Sequence, residues 1–154
     1  MPDPLSHLCI AWLVGRAAWL RRWLVVFLIG TFLPDFLTSA PTVMVGGYWF
    51  WAVAHTPVGA VLWAYAISLL FREAERRSAF LCLVTGGWLA IGLDVLQDHI
   101  SGGYMLFFPF SWREFELHLI HPEGSLDWLP WLVAGVILVE LARALHRRLP
   151  RNAA

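Results

Sequence analysis

Lysine is absent from this sequence, and charged residues of every kind are scarce. Asp, Glu, Lys and Arg together make up 14% of the 154 residues, whereas 59% are hydrophobic. The mean hydropathy is +0.64. A soluble domain usually has about a quarter of its residues charged, so this composition favours a membrane protein over an unusually apolar soluble one. The formal net charge of zero indicates no nucleic-acid partner.

Cysteine is also scarce. Cys9 and Cys82 both lie in apolar stretches, where a cysteine usually acts as a small hydrophobic residue. Two such residues do not make a disulfide framework. A secretory signal peptide is not expected either, because Met1-Pro2-Asp3-Pro4 has no basic residue and no A-x-A site follows an early apolar run. The length suits a single domain, 1–154, and no internal repeat is evident.

Five apolar segments predict an all-α, polytopic membrane helix bundle. The segment nearest the N-terminus carries Arg16 and is expected to pack against the others. The second segment is short, and it would have to tilt, stay partly buried or thin the bilayer locally, whereas the three later segments approach the ~20 residues of a span. Residues 101–125 are expected to form an extracytoplasmic loop or interfacial segment, either a lid or simple packing over the helix ends. The five segments are Leu5–Leu20, Trp23–Phe36, Trp49–Phe71, Ala79–Ile100 and Leu126–Leu145.

Arginine predicts the orientation of this bundle. Ten of the eleven arginines fall in three regions, which five helices would bring to one face. The positive-inside rule makes that face cytoplasmic. The N-terminus is then expected outside and the C-terminus inside. The ten are Arg16, Arg21, Arg22, Arg72, Arg76, Arg77, Arg143, Arg147, Arg148 and Arg151.

The opposite face collects acidic and histidine side chains. Ionisable groups within spans cost roughly 2.5–3.5 kcal/mol each on insertion scales, so by default they mark function. Asp94 and Asp98 have i,i+4 spacing, which would place both carboxylates on one helix face, where they repel unless a cation lies between them. Helix bundles build metal sites from such inward-facing carboxylates and imidazoles. The candidate ligands of one or two divalent cations are His7, Asp35, His55, Asp94 and Asp98.

Some of these residues also have simpler interpretations. A lone histidine such as His55 in an apolar helix is more often a hydrogen-bonded structural residue. Asp35 follows Pro34 and would suit a helix cap or a turn. The Asp94/Asp98 pair is harder to explain in that way, because of its like charges.

Four further candidates lie near the same face. His99 would face about 100° away from Asp98 on a helix and could instead bind interfacial water. His118 and His121 have i,i+3 spacing, so they could add ligands or lie on a solvated interfacial helix. Arg113, the only arginine on this face, could bind a phosphate or pair with a nearby glutamate.

These residues together resemble the bacterial membrane-bound metal-dependent hydrolases related to an inner-membrane protein reported as LexA-regulated. That family has an N-terminal His, a G-x-x-L-P-D segment, a T-H-S-like segment, and an H-x-x-x-D segment followed by a Gly and a Pro-Phe. The ligand order is also similar to that of the zinc-dependent phospholipase C and single-strand nuclease superfamily. The corresponding residues here are Ser6-His7, Gly30 to Asp35, His55-Thr56, Asp94-x-x-x-Asp98, Gly103 and Pro109-Phe110.

The resemblance implies a zinc-type site with the same five ligands, in which Asp35 and Asp98 also serve as catalytic carboxylates. The sequence departs from the family at three places. Asp94 stands where the family usually has His, Leu37 replaces a second Asp, and Phe50-Trp51 replaces a His-Arg pair. A different metal, a single metal and a lost activity therefore all stay open.

The leading hypothesis is a metal-dependent hydrolase at the outer leaflet of the bacterial cytoplasmic membrane, acting on a phosphoester in a lipid or lipid-linked substrate. One alternative is a non-catalytic metal-binding or ion-translocating protein. Polar residues confined to one half of the bundle favour a pocket over an ion path. Another alternative is a structural partner in a membrane complex, with a vestigial site.

Overall fold

Five α-helices make up most of the chain that the computed structural model describes, which is residues 4–18, 20–47, 52–98, 102–121 and 124–148. Within these residues there is no β-strand beyond two isolated bridges. The predicted all-α fold class is confirmed. The elements are α1 (Pro4–Ala17), α2 (Leu24–Val45), a 3-10 turn (Val53–His55), α3 (Pro57–Ser68), α4 (Glu73–Val95) and α5 (Gly124–Arg148).

Three of these helices are long and apolar enough to cross a membrane: α2, α4 and residues Asp127–Arg147 of α5. They indicate a membrane protein. The remaining two helices, α1 and α3, have only 14 and 12 residues, which is short of the ~20 that a perpendicular span needs.

The predicted end of the second segment at Phe36 was wrong, because α2 continues to Val45 through two internal prolines. Membrane helices tolerate proline where Ser or Thr side chains and neighbouring helices satisfy the freed backbone groups. The prolines Pro34 and Pro41 remove the helical donors to the carbonyls of Gly30 and Leu37, and the Thr38 hydroxyl makes a separate bond to the Pro34 carbonyl at 2.9 Å. The helix that the sequence predicted as too short is therefore a full span of 22 residues.

The third segment was predicted as Trp49–Phe71, but the helix within it, α3, is shorter and begins only at Pro57. Proline is favoured in the first turn of a helix, where its missing N–H would have no partner. The Thr56 hydroxyl caps the helix by accepting a hydrogen bond from the Gly59 backbone N–H at 3.0 Å. This start isolates His55 in a separate 3-10 turn just before the helix.

The arginine-rich regions meet at one end of the bundle. The Arg22 guanidinium donates to the Glu75 carboxylate, which joins the turn after α1 to the first turn of α4. In the last turn of α1, Arg16 Nε lies 3.3 Å from Glu140 Oε1 on α5. Helices α2 and α4 therefore both start at the arginine-rich end and run parallel.

The side of the membrane on which this end lies stays a prediction, and matched cysteine variants test it. In a background with Cys9 and Cys82 replaced by serine, we expect Arg113→Cys to react with a membrane-impermeant maleimide on intact cells. Arg77→Cys is expected to react only after permeabilisation, because it lies at the arginine-rich end. Both arginines are exposed. The reverse pattern would show that the bundle is inserted the other way round.

Close contact between α2 and α4 fixes the centre of the bundle. A Cβ added to Gly30 would lie 2.3 Å from the carbonyl oxygen of Leu83, and one added to Gly86 would lie 2.2 Å from that of Phe27. Only glycine allows the two backbones to approach so closely, as is common between membrane helices. Because the backbones touch, the side chains that follow on the two helices have little freedom to separate.

Residues 102–121 pack over the end of α4 without forming a helix. The Leu117 N–H donates to the Val95 carbonyl at 2.8 Å, and the Leu119 N–H donates to that of Leu96 at 3.0 Å. The last carbonyls of a helix have no partner within it, so this segment caps α4. Tyr104 and Met105 of the same segment are buried. The segment therefore contributes to the core as well as covering it.

Candidate metal site

Four ionisable side chains from four different elements meet at the end of the bundle opposite the arginines. His55 Nε2 lies 2.7 Å from Asp94 Oδ2, and His7 Nε2 lies 3.2 Å from Asp94 Oδ1. On its other side, His55 Nδ1 lies 3.5 Å from Asp35 Oδ1. Asp94 thus contacts two imidazoles, and His55 contacts two carboxylates.

Local structure explains how each side chain reaches this point. His7 lies one turn into α1, and Asp94 lies at the last turn of α4. His55 is held by its 3-10 turn, which packs so tightly on α3 that a Cβ on Gly59 would lie 2.1 Å from the Val53 carbonyl oxygen. Asp35 comes from the middle of α2, so its interpretation as a cap or turn residue was wrong.

The site is almost fully closed to solvent. The exposed fractions of the side chains are 0% for Asp94, 4% for His7 and 7% for His55, whereas Asp35 is 26% exposed. A buried charge is costly unless it is paired or coordinates a metal. Asp35 is therefore the member of the group that a ligand can reach.

Asp94 carries the strongest sign of an additional partner. Its buried Oδ1 atom lies 3.2 Å from His7 Nε2, and this contact misses good hydrogen-bond geometry. Buried carboxylate oxygens are normally hydrogen-bonded, and an exception calls for an explanation such as an ion. A cation next to this oxygen would satisfy it.

The donor atoms fit a divalent cation. Asp35, His55 and Asp94 each offer one ligand atom, and these atoms lie within 4.8 Å of one another. Ligands of tetrahedral zinc stand about 2.0–2.2 Å from the metal, which separates them by about 3.4 Å. Small side-chain movements would close that difference. Imidazole nitrogen with carboxylate oxygen suits zinc and several other transition metals.

Tyr104 covers the site from the side of the 102–121 segment. Its ring centroid lies 4.8 Å from that of His55, with an angle of 34° between the ring planes. The sequence offered no signal for this contact, because Tyr104 is positioned by its bridge to Phe115. The contact limits the rotation of His55 and separates it from water above the bundle.

Asp98, a predicted ligand and catalytic carboxylate, is directed elsewhere. Helix α4 ends at Val95, so the expectation that Asp94 and Asp98 share one helix face was wrong. The Asp98 carboxylate instead pairs with His118 Nδ1, and His118 Nε2 lies 3.3 Å from Glu116 Oε1. This second group is more exposed than the four-residue site.

The other candidates contribute no contact to the four-residue site among those described. Arg113 is exposed, and its guanidinium lies 5.5 Å from the centre of the Phe115 ring. His121 is exposed as well, and residues 111–121 form no helix, so its i,i+3 spacing from His118 does not define a shared face. His99 lies outside the described residues.

Comparison with known proteins does not assign a function. No family model matches this chain, and neither a curated protein nor a solved structure matches it. The hydrolase resemblance therefore stays a prediction from the motifs. What can be argued about function depends on the geometry of the buried group.

Proposed function

We propose that this chain is a membrane-bound metal-dependent hydrolase whose cation is held by Asp35, His55 and Asp94, with His7 as a further ligand. The supporting observation is the buried group itself, in which two carboxylates and two imidazoles from separate elements converge. The proposed metal is zinc, because it accepts mixed nitrogen and oxygen donors; three protein ligands would leave one position for water, and with His7 also bound the zinc would have to become five-coordinate.

The charge balance of the site favours a cation. Two ionised carboxylates facing neutral imidazoles would leave two uncompensated negative charges in a region of low dielectric constant. Their mutual repulsion and desolvation would cost several kcal/mol. A divalent cation would cancel both charges at once, whereas the histidines would have to be protonated to do the same.

The chain's own residues would divide the work of hydrolysis. A bound divalent cation activates water near neutral pH and polarises a phosphoryl oxygen. Asp94, fully buried between two histidines, would hold both rings in place. Asp35 is the partly exposed carboxylate, so it is the group proposed to accept the proton of the attacking water. Asp98 receives no role, because it faces His118.

The proposed substrate is a phosphoester of a lipid or lipid-linked molecule at the outer leaflet of a bacterial cytoplasmic membrane. On α4 the site lies in the last turn of a candidate span, where a membrane helix approaches the lipid head groups. Confinement of the polar group to that end also argues against a path for ions across the bundle.

Metal content and hydrolysis should be measured on the same purified protein. We expect about one cation per chain when the purified protein is digested in acid and its metal is measured by elemental mass spectrometry. Hydrolysis of phospholipid vesicles or of bis(p-nitrophenyl) phosphate should be lost with a chelator and restored by zinc. In Asp35→Asn, kcat should fall by about 100-fold or more, and the metal content of the same variant separates loss of a general base from loss of a ligand.

Two results would reject this proposal. A metal-free protein that is indifferent to chelators would remove the cation. A stoichiometric metal without hydrolysis of monoesters, diesters or phospholipids would favour the non-catalytic metal-binding alternative.

A further inference from the structure

A second group of ionisable side chains lies outside the four-residue site and has no role in the proposed reaction. His118 stands at its centre, between Asp98 and Glu116. The Asp98 carboxylate pairs with His118 Nδ1, and His118 Nε2 lies 3.3 Å from Glu116 Oε1. Both nitrogens of one imidazole ring therefore face carboxylate oxygens.

This arrangement suits a protonated histidine. A neutral imidazole has one N–H group and one bare nitrogen, so it donates to only one of two carboxylates, whereas an imidazolium donates to both. The two nitrogens lie on different sides of the ring, so a single cation bound at one of them would lose the carboxylate at the other. The geometry therefore favours two ion pairs over a metal site.

The backbone of His118 has an uncommon conformation. Its φ of 50° lies in the left-handed region, and no other residue of the described chain except glycine has a positive φ. Such a conformation persists only where its surroundings fix it. The neighbouring N–H groups of Leu117 and Leu119 do so, because they donate to carbonyls at the end of α4 at 2.8 and 3.0 Å. The ion pairs of His118 and these backbone bonds hold the same stretch of chain against α4.

This stretch also positions the cover of the four-residue site. Phe115 and Tyr104 exchange two backbone hydrogen bonds, each of 3.0 Å. The ring centroid of Tyr104 lies 4.8 Å from that of His55. Residues 115–120 therefore link Tyr104 to the end of α4. Separation of these residues from α4 would release the backbone that holds Tyr104 over His55.

We infer that His118 is a pH-sensitive latch, which as an imidazolium binds Asp98 and Glu116 and holds residues 102–121 over the four-residue site. Histidine changes its charge between about pH 5 and 8. As the pH rises through that range, the ring loses one N–H group and its positive charge, so one pair breaks and the other weakens. The latch is closed in mildly acidic conditions and loosened in alkaline ones. It needs no metal and does not depend on the proposed hydrolase function.

Other groups in this region have to be separated from His118. The charged side chains that face its ring are Asp98, from the chain that leaves α4, and Glu116, from its own segment. Arg113 of the same segment lies over the Phe115 ring instead. The buried imidazoles of the four-residue site can also change charge with pH. The test therefore compares variants at one pH rather than one protein at two.

Hydrogen–deuterium exchange of peptides that cover residues 115–120 measures how firmly this stretch is held. The intact protein in lipid nanodiscs is compared with His118→Asn at about pH 6 and about pH 8.5, near the two ends of the range in which histidine titrates. Asparagine also tolerates the left-handed conformation, but it carries no charge. The His118 side chain is 63% exposed, and exposed ion pairs are individually weak. We expect exchange to be about fivefold faster in the variant at the lower pH, and less than about twofold faster at the higher pH.

His121→Asn is the matched control. His121 is an exposed histidine of the same segment, and its ring forms no ion pair within the described residues. This variant should exchange like the unaltered protein at both pH values. Asp98→Asn and Glu116→Gln each remove one partner of His118, so both should speed exchange at the lower pH. They test the latch independently if His118→Asn lowers the yield of folded protein.

Three results would overturn the latch. Equal exchange in His118→Asn and the unaltered protein at the lower pH would show that the ion pairs hold nothing. The same acceleration at both pH values would show a structural role without titration. Protection by added zinc at the higher pH, present in the unaltered protein and absent in Asp98→Asn, would assign a cation to this group instead.

Metal content, measured in the same samples, keeps the latch distinct from the proposed function. The expected exchange pattern in a metal-free protein would keep the latch and reject the hydrolase. Bound metal with equal exchange in all variants would do the reverse.

Discussion

Asp94→Asn is expected to lose stoichiometric metal, while Asp98→Asn retains it. Asp94 is the fully buried carboxylate that contacts both His7 and His55. Altering residues that only support metal ligands typically costs 10–100-fold in affinity, so removal of a central ligand should weaken zinc binding by more than about 100-fold. Asp98 differs by one turn in sequence, yet its carboxylate faces His118.

Competition with a zinc indicator of known affinity measures this difference. Both variants replace one carboxylate oxygen of an aspartate with an amide nitrogen, so general effects on expression or charge should be shared. Equal loss of metal in both variants would mean that Asp98 turns back into the site, as the sequence pattern alone suggested. Equal retention would exclude Asp94 as a ligand.

Gly86→Ala is expected to destabilise the bundle, because its new Cβ would lie 2.2 Å from the Phe27 carbonyl oxygen. Backbone must move to relieve such a contact, and overpacking of this kind costs about 1–3 kcal/mol. At about 2–4 °C per kcal/mol for a chain of this size, the midpoint of thermal unfolding should fall by roughly 5 °C. Metal affinity should fall as well, because α2 and α4 carry Asp35 and Asp94.

Gly92→Ala is the control for this substitution. Gly92 lies on the same helix, but a Cβ there would meet no atom within 4 Å. Alanine favours helix over glycine by up to about 1 kcal/mol, so this variant should be neutral or slightly more stable. The midpoints of thermal unfolding of the two variants are compared in detergent. Their metal affinities are then compared by competition with the zinc indicator. Equal midpoints would show that α2 and α4 do not pack as closely as described.

Local sequence was sufficient for the fold class. An apolar composition interrupted by a few arginines predicts membrane helices, because bilayer hydrocarbon accepts little else. The same reasoning singled out His7, Asp35, His55 and Asp94, since ionisable groups in apolar segments are rare and conspicuous. Their convergence followed from the predicted order of up and down helices, and it required no knowledge of individual contacts.

Helix boundaries could not be predicted in the same way. Proline normally ends a helix, yet α2 passes through two prolines, as a membrane helix packed against its neighbours can. Helix α4 ends at Val95, whose carbonyl accepts a hydrogen bond from Leu117, distant in sequence. The end of α4 then determined that Asp94 joins the site and that Asp98 leaves it.

Composition and the positions of polar residues thus determined that this chain is a helical membrane protein with one polar end. Tertiary structure alone decided which carboxylate is buried, that Tyr104 covers His55, and that Asp98 pairs with His118. The physical reason is the distance along the chain over which each property is determined. Hydropathy is a property of each segment by itself, whereas burial, caps and ion pairs depend on which backbones touch, and here glycines such as Gly30 and Gly86 allow that contact.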